Sequence, residues 1–367
     1  MNILLVTSSY LPTINGVTYH ISSITHALRK MGHKVYILAP SFPGYKDNDK
    51  HVIRYPSIPN PLVKNYPLGG PFASVKKIKR LKIDVIHTHH PLVAGQLAWQ
   101  IAKKLNKPLF FTAHTQYEQY LNYYFPYGYE FASNLLNKDL IRMSGYSRKI
   151  ICPSTNTQKR LNRIGIKNTA VIYNGVEDYF FVKPSRKSLI TPTLVYTGRV
   201  DKEKRPLELI KIARELKKIM PNFRLLVLGS GSQLQKMREQ TTKAKLDDHV
   251  MYLGVVDRKL FPDIYKSVHL FITPSLSEVM PISILEAMAS GVPTISIKGS
   301  GLEEIVIDGK TGYLCEKNSG KIAEKIKEIL SDPKAYSSLS KKTYAFAMNF
   351  SANNTARKLL DLYLEQK

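Results

Sequence analysis

Apolar residues follow two alternating rhythms along this chain, short continuous runs and longer stretches with helical spacing. Short apolar runs bounded by turn residues are typical of buried strands, and apolar positions three or four apart are typical of amphipathic helices. The first pair is a strand over Asn2–Thr7 and a helix over Thr18–Met31, which Gly32 ends. Strands that alternate with helices predict an α/β fold with parallel sheets.

The alternation forms two series. The first series predicts strands over His33–Ala39, Asp84–His87, Pro108–Thr112, Lys149–Pro153 and Ala170–Tyr173, and helices over Pro91–Leu105 and Asn156–Ile164. The second predicts strands over Thr193–Thr197, Arg224–Leu228, Val250–Gly254, His269–Thr273 and Thr294–Ile297, and helices over Pro206–Met220, Ser232–Ala244, Pro281–Gly291 and Lys321–Leu330. Prolines in Phe180–Pro192 interrupt the rhythm, so we place a boundary between residues 182 and 183. Two doubly wound domains that face each other across a cleft are expected.

Composition agrees with a globular chain of about two domains, because 367 residues exceed the usual size of one. No apolar run reaches the ~18 residues that a membrane span needs. The segment Met1–Val6 lacks a basic region and a cleavage site, so it reads as a strand and not as a signal peptide. Two cysteines are too few for a disulfide framework, which favours a reduced, cytoplasmic protein.

Charge is the unusual property of the chain. The formal net charge is +26, and such a field attracts polyanions, anionic membranes and phosphorylated ligands. Zinc-finger spacing, RNP-like motifs and basic heptads are absent from the sequence, so no nucleic-acid partner is predicted. The alternative explanation is a generally lysine-rich proteome.

Two carboxylates, Glu278 and Glu286, flank the start of the predicted helix after the strand His269–Thr273. Glu278 is expected in the loop and Glu286 more than a turn into the helix, so they do not form an acid/base pair on one helical face. The crevice at the carboxyl ends of strands is where open α/β sheets bind ligands. We interpret the two glutamates as separate acceptors for ligand hydroxyl groups; the alternative is two solvated surface residues.

Anion-binding chemistry is predicted at three strand-to-helix turns. Arg199 and Lys204 belong to a cluster of cations that follows the strand Thr193–Thr197, before a helix N-terminus. Gly229 and Gly231 follow the next strand and allow a ligand close to the backbone, although they lack the third glycine of a dinucleotide fingerprint. Gly16 lies in the first strand-to-helix turn of the chain. It allows backbone N–H groups to reach a phosphate, or it is simply a turn residue.

Histidines give a weaker signal for metal chemistry. His114 follows the strand Pro108–Thr112 and is expected to face the cleft, unless it is only structural. Strand alternation points His87 and His89 the same way, but no partnering acidic or cysteine set is evident, and Asp47-Asn48-Asp49 reads as a turn. No metal site and no cofactor are therefore predicted.

Taken in order, these motifs resemble those of a family-four retaining glycosyltransferase with the GT-B fold, over both domains. The matching motifs are Asn15-Gly16-Val17, Thr112-Ala113-His114, Gly198-Arg199 with Lys204, Glu278 with Glu286, Gly301-Leu302-Glu303-Glu304 and Gly312-Tyr313-Leu314. The resemblance implies a C-terminal domain over 183–345 that binds a nucleotide-sugar, and a last helix, about 345–365, that returns to the first domain. It departs at Val279-Met280-Pro281, where the family often has Gly-Phe-Gly, and at Arg205, where a glycine is usual.

The resemblance also implies residue roles. Arg199 and Lys204 would bind the donor diphosphate without a metal, Glu278 would hold sugar hydroxyls, and Glu286 would hold the ribose. His114 would lie near the transferred sugar. The full donor set implied is Gly16, Arg199, Lys204, Gly229, Gly231, Glu278, Met280, Pro281, Ile282 and Glu286, and the catalytic set is His114, Glu278, Arg199 and Lys204.

The acceptor side is expected in residues 1–182. Residues 71–82 have the pattern of an amphipathic helix, with cations at Lys76, Lys77, Lys79 and Arg80. Such a helix suits an anionic membrane surface, or packs on its own domain. Tyr117 and Tyr120 begin an aromatic stretch that suits a lipid interface, a sugar-stacking wall or a buried position.

Residues 11–17 together with 114–118 are similar to bacterial diacylglycerol glucosyltransferases, which implies UDP-glucose as donor, a lipid acceptor, and a peripheral position on the inner face of the membrane. Three alternatives stay open at this point. They are a glycosyltransferase with another donor or a soluble acceptor, a UDP-sugar 2-epimerase of the same architecture, and a non-enzymatic polyanion-binding protein.

Overall fold

The computed structural model describes residues 1–60, 66–70, 72–114, 128–185, 187–276 and 278–366. The chain divides into two compact units. The first consists of Met1–Gly175 with Ala352–Lys367, and the second of Val176–Ser351. The chain thus leaves the first unit once and returns to it with its last helix.

A seven-stranded parallel sheet forms the centre of the first unit, in the order β3-β2-β1-β6-β7-β8-β9. Its strands are β1 Asn2–Val6, β2 Lys34–Pro40, β3 Val52–Tyr55, β6 Val85–Thr88, β7 Leu109–Thr112, β8 Lys149–Cys152 and β9 Thr169–Val171; β4 Ser57–Ile58 and β5 Leu68–Gly69 form a separate antiparallel pair. In the described part of this unit, the α-helices are Gly16–Lys30, Val75–Lys79, Leu92–Leu105, Tyr129–Tyr146, Thr155–Arg163 and Ala352–Glu365.

Both faces of this sheet are buried, as strand alternation requires of a parallel sheet with helices on each side. Along β1, Leu4 and Val6 join one hydrophobic cluster, and Ile3 and Leu5 join the other. The strands β2 and β6 are the two neighbours of β1 and lie on opposite sides of it. The order of strands along the chain therefore changes direction between β1 and β6. Ligands bind at such a switch point in open α/β sheets.

The second unit contains a six-stranded parallel sheet in the order β12-β11-β10-β13-β14-β15. Its strands are β10 Thr193–Thr197, β11 Arg224–Leu228, β12 Val250–Gly254, β13 Leu270–Ile272, β14 Thr294–Ile297 and β15 Gly312–Cys315. Its α-helices are Leu207–Ile219, Leu234–Lys243, Phe261–Ser267, Ile282–Ala289, Ser319–Ser331 and Pro333–Ala347. The switch point lies between β10 and β13.

Parallel sheets with alternating helices confirm the predicted fold class. The bounds of β10, β11, β12 and β14 are those expected from the sequence. Apolar and β-branched residues dominate these strands, and a glycine or proline lies beside or at an end of each, so the sequence marks their limits clearly.

Two predicted helices differ from the structure by more than two residues at an end. The expected helix at about 345–365 is two helices, Pro333–Ala347 and Ala352–Glu365, separated by a 3-10 turn over Met348–Phe350 and an extended Ser351. A β-bridge from Val176 to Ser351 occupies the break. Pairing with a distant segment, which local periodicity does not register, therefore ends the first helix.

The helix expected over residues 71–82 is shorter in the structure and spans Val75–Lys79. Ser74 caps its N-terminus, and a left-handed backbone at Lys82, φ 51°, follows its end. Ile78 is buried in the core, and Val75 packs on the same cluster. Its apolar face therefore packs on its own unit, while Phe72, 76% exposed, lies ahead of the helix.

The returning helix Ala352–Glu365 packs on Gly16–Lys30. Its apolar residues Ala356, Leu359 and Tyr363 belong to the same cluster as Ile3 and Leu5 of β1. Thr355 donates a hydrogen bond to the carbonyl of Tyr173, 3.0 Å away, which fixes the start of this helix. The last residues of the chain thus complete one face of the first unit.

Gly175→Ala tests this docking. A Cβ atom at Gly175 would lie 2.6 Å from Cα of Ala352, so the helix must shift, and we expect a loss of about 1–3 kcal/mol of unfolding free energy. Trp99 is the single tryptophan and lies in the first unit, so its fluorescence in urea reports that unit alone.

The matched control is Gly145→Ala, at an exposed helical position where a Cβ meets no described atom within 4 Å. This change removes a glycine from a helix and should leave stability equal or raise it by up to ~1 kcal/mol. Equal urea midpoints for the two variants would contradict the proposed contact.

Candidate active site

An ion pair lies at the switch point of the second sheet. Lys204, in the 3-10 turn Lys202–Lys204 after β10, donates from Nζ to Oε1 of Glu278, 2.9 Å away. Glu278 follows β13, and β10 and β13 are neighbours whose carboxyl ends meet at one edge. Both side chains are mostly buried. The two predicted residues, 74 positions apart, therefore occupy one place.

A glycine that sequence reasoning linked only to a family motif supports the Glu278 loop. The backbone N–H of Glu278 donates to the carbonyl of Ser300, 3.0 Å away. Gly301 has φ +87°, and a Cβ there would lie 2.2 Å from the Glu278 carbonyl oxygen. Only glycine fits this conformation at this distance, so Gly301 determines where Glu278 sits.

The glycines after β11 fit closely against the β10 loop. A Cβ at Gly229 would lie 1.9 Å from the Gly198 carbonyl oxygen, and one at Gly231 would lie 2.5 Å from that of Val200. Val200 in turn donates its N–H to the carbonyl of Ser230. Gly229 and Gly231 thus bring two backbone loops together, and the predicted close approach of a ligand to these glycines stays a prediction.

Arg199 belongs to a separate network of charges in this loop. Its Nη2 lies 2.7 Å from Oε1 of the buried Glu203, and its Nη1 lies 3.6 Å from Asp201. The side chain remains 41% exposed, so it is open to solvent on one side. Arg205 has a left-handed backbone, φ +53°, which explains why a glycine suits this position in the family it resembles.

Glu286 is 2% exposed and lies on the helix Ile282–Ala289. Nε of Arg258 donates to its Oε1 at 2.7 Å, and Nη1 of Arg258 contacts Oε1 of Glu177 at 2.6 Å. The guanidinium also lies over the ring of Phe180, 5.0 Å from its centroid. Burial raises the pKa of Glu286 to about 7, and the opposing attraction of Arg258 limits this rise.

Arg258 was absent from the predicted site, because one arginine among 54 basic residues carries no local signal. The other donor positions cluster around the start of the same helix. Pro281 is the N-cap residue, immediately before Ile282, whereas the sequence predicted it inside the first helical turn. Met280 and Ile282 are buried. The missing N–H of Pro281 costs nothing at this position.

In the first unit, the turn after β1 leads into the helix Gly16–Lys30. Asn15 caps this helix, because its side chain accepts a hydrogen bond from the Thr18 N–H at 2.8 Å. A Cβ at Gly16 meets no described atom within 4 Å, and φ there is not positive. The backbone conformation of the turn does not require glycine. The absence of a side chain at Gly16 leaves open space beside the helix N-terminus.

His114 lies in a cluster of imidazoles at the carboxyl edge of the first sheet. Its Nε2 is 3.0 Å from Nδ1 of His89, and its ring centroid is 4.6 Å from that of His20. His87 and His89 stack at 4.4 Å, as strand alternation predicted. Burial lowers the pKa of His20 to about 4 and holds the pKa values of His89 and His114 well below 6.5, so these rings are neutral.

The predicted acceptor residues have mixed outcomes. Lys76, Lys77, Lys79 and Arg80 are exposed on or beside the helix Val75–Lys79. Tyr117 and Tyr120 lie outside the described residues. Among the described residues, none of the helices combines the length and the apolar character that crossing a membrane requires.

Family models match both units. Residues 14–179 match "Glycosyltransferase Family 4", and residues 180–346 match "Glycosyl transferases group 1". The chain is 26% identical to an alpha-monoglucosyldiacylglycerol synthase from Acholeplasma laidlawii, covering 100% of this chain and 97% of that protein. It is 27% identical to the enzyme of the same name from Streptococcus pneumoniae, with 100% and 86% covered.

Among solved structures, HepE of Anabaena in complex with UDP has a TM-score of 0.78 at 18% identity, with 100% of both chains covered. At this identity the similarity is evidence for the fold.

A carboxyl titration tests the environment of Glu286. In protein carrying 13C-labelled glutamate, we expect a resonance that titrates near pH 7 and is absent from Glu286→Gln. Arg258→Met removes the attraction that favours the carboxylate, so the pKa of Glu286 should rise by about 1–3 units.

Glu177→Gln is the matched comparison, because it removes a like charge that raises the pKa of Glu286. The two variants should therefore shift the titration in opposite directions. A fall in the pKa of Glu286 in Arg258→Met would refute the assigned ion pair.

Proposed function

The chain is a hexosyltransferase with the GT-B fold, composed of a glycosyltransferase family 4 domain followed by a group 1 domain, and we propose that it glucosylates diacylglycerol from UDP-glucose with retention of configuration. The Lys204–Glu278 pair is the observation that carries the donor part of this proposal. Similarity along the full chain to two monoglucosyldiacylglycerol synthases supports the lipid acceptor. HepE binds UDP, which supports a uridine donor.

The pair links the two parts of the donor that separate during the reaction. A lysine ammonium has three N–H donors and a carboxylate has two acceptor oxygens, so each retains capacity while bound to the other. Lys204 would donate to a diphosphate oxygen, and Glu278 would accept from a sugar hydroxyl. Their 2.9 Å contact would then fix the hexose relative to its leaving group.

Cleavage of the glycosidic bond leaves negative charge on the diphosphate and positive charge on the anomeric carbon. Lys204 and the half-exposed Arg199 would stabilise the diphosphate as this charge develops, and the catalytic charge would come from side chains without a metal ion. The acceptor hydroxyl would attack from the face that the diphosphate leaves. The departing phosphate would take the hydroxyl proton, so the transfer needs no nucleophile from the protein.

Glu286 would bind the ribose of the donor. Its carboxylate form accepts hydrogen bonds from two hydroxyl groups, whereas the acid form donates at one oxygen. Arg258 would therefore serve as a positioning residue that favours the carboxylate. His114, a neutral imidazole, would contact a sugar hydroxyl.

The membrane part of the proposal rests on charge. Lys76, Lys77, Lys79 and Arg80 are exposed together in the first unit, while the apolar face of their helix packs inward. Attraction to an anionic membrane surface would thus be mainly electrostatic, with the exposed Phe72 as an apolar contact beside it. The enzyme would bind peripherally at the inner face of the membrane, where its lipid acceptor lies.

A donor and acceptor panel tests the reaction. With UDP-glucose and diacylglycerol in mixed vesicles, mass spectrometry should detect monoglucosyldiacylglycerol. Lys204→Met and Glu278→Gln should each lower kcat by about 10²–10³-fold, equal to ~2.7–4 kcal/mol of transition-state stabilisation.

Lys202→Met is the matched control, because it removes an exposed lysine from the same 3-10 turn. It should retain near-normal turnover. Transfer only from GDP-sugars would contradict the proposed donor, and transfer only to soluble acceptors would contradict the proposed lipid acceptor. Interconversion of UDP-sugars without an acceptor would show 2-epimerase activity and contradict the proposed transfer.

Vesicle co-sedimentation tests the membrane contact. Changing Lys76, Lys77, Lys79 and Arg80 to glutamine should weaken binding to anionic vesicles by about 1 kcal/mol per charge removed at low salt. The difference should shrink at high salt, because screening weakens exposed charges.

A control of equal charge replaces four exposed lysines of the second unit, Lys202, Lys236, Lys243 and Lys259. This control should bind more tightly than the first variant. Equal binding by both variants would mean that net charge, and not this surface, attracts the vesicle.

A further inference from the structure

Three histidines from distant parts of the sequence converge in the first unit. His20 lies on the helix Gly16–Lys30, His89 follows β6 and His114 follows β7. Each offers one ring nitrogen, and the three nitrogens lie within 4.8 Å of one another. We call this set the histidine triad.

The geometry of the triad is close to that of a metal site. Nδ1 of His89 and Nε2 of His114 face each other at 3.0 Å. Zinc–nitrogen bonds of about 2.0–2.1 Å in a tetrahedral site place two ligand nitrogens roughly 3.3 Å apart. The pair is therefore near coordinating distance already. The His20 nitrogen, within 4.8 Å of the other two, would need to approach by up to about 1.5 Å to reach the tetrahedral spacing.

Unsatisfied ring nitrogens occur in this cluster. Both ring nitrogens of His20 and Nε2 of His89 have no hydrogen-bond partner among the described residues, and both side chains are buried. A buried polar atom without a partner is costly, at about 1–3 kcal/mol. The open nitrogens of His20 therefore give the triad capacity for a ligand, and His89 would contribute Nδ1, the nitrogen that faces His114.

The adjacent histidines are already engaged. Both ring nitrogens of His87 have partners, Nδ1 with the Tyr363 hydroxyl at 2.6 Å and Nε2 with Thr112 Oγ1 at 2.7 Å. Nδ1 of His90 accepts from the N–H of Ser8. These contacts separate structural histidines from the triad.

We propose that His20, His89 and His114 form a binding site for one divalent transition-metal ion of the zinc type. Three neutral imidazoles are a ligand set that zinc and cobalt accept, and the fourth tetrahedral position would stay open to water or a ligand. The site lies beside the sheet's switch point, where β1 and β6 adjoin.

A metal at the triad would regulate transfer, and this consequence depends on the proposed function. If His114 contacts a sugar hydroxyl, coordination of its imidazole to an ion would hold the ring within the triad and prevent that contact. Zinc would then act as an inhibitor of an enzyme that needs no metal.

Cobalt titration of chelator-treated full-length protein tests the site itself, independently of transfer. One Co²⁺ per chain should bind and give the intense visible ligand-field bands of four-coordinate cobalt. His114→Ala, at a half-buried position, and His89→Gln should each weaken binding by more than about 100-fold, because residues that only support ligands contribute about 10–100-fold.

His26→Ala is the matched control, since His26 is exposed on the same helix as His20 and should leave cobalt affinity unchanged. Trp99 fluorescence verifies that each variant is folded, and His114→Ala decides the question if His89→Gln is unstable. Weakening of less than about 100-fold in folded His114→Ala, or absence of the visible bands in unchanged protein, would overturn the site.

Zinc added to the transfer assay should inhibit the unchanged protein and His26→Ala, and chelator should restore both. Cobalt binding without zinc inhibition would overturn the regulatory consequence, while lack of transfer under every condition would count against the proposed function and leave the cobalt result standing.

Discussion

The ion pair between Lys204 and Glu278 connects two loops that leave neighbouring strands of one parallel sheet. A mostly buried lysine and a mostly buried carboxylate each need a partner, because an unpaired charge away from water is strongly unfavourable. Each residue supplies what the other requires, and the surrounding backbone is arranged accordingly. Gly301 admits the Glu278 carbonyl at a distance that any side chain would prevent, and Gly229 and Gly231 draw the β11 loop against the β10 loop. A charged pair in such a frame has little freedom to reorganise, which suits a site that must stabilise charge as it develops.

A second buried network lies in the same unit and has a different character. Glu286, Arg258 and Glu177 place two carboxyl groups around one guanidinium, and Phe180 lies against the guanidinium. The Lys204–Glu278 pair has one carboxyl group for one cation, whereas this network has two, and burial raises the pKa of one of them, Glu286. The charges of the Lys204–Glu278 pair are thus fixed, whereas the protonation of Glu286 in the network changes with pH near 7.

Much of this architecture could be predicted from the sequence, for identifiable reasons. Apolar and β-branched residues dominate β10, β11, β12 and β14, and a glycine or proline lies beside or at an end of each, so their limits were predicted to the residue. Glu278 and Lys204 were each placed after a strand, and the family resemblance assigned both to the donor. They meet because parallel strands end at the same edge. Arg258, Gly301 and His20 gave no comparable signal, since their roles come from tertiary contacts with residues distant in the chain. The division of the last helical region at Ser351 was missed for the same reason, as its cause is pairing with Val176.

The return of Ala352–Glu365 to the first unit has a consequence for biosynthesis. Residues 176–351 separate this helix from the rest of the sheet it covers, and a ribosome adding 5–20 residues per second takes about 10–35 s to make them. Throughout that interval Ile3, Leu5 and Ile21 lack the helix that shields them in the finished protein. The nascent N-terminal half therefore presents an uncovered apolar face while the second unit is still being translated, and a chaperone that holds this face would protect it until the helix Ala352–Glu365 has been made.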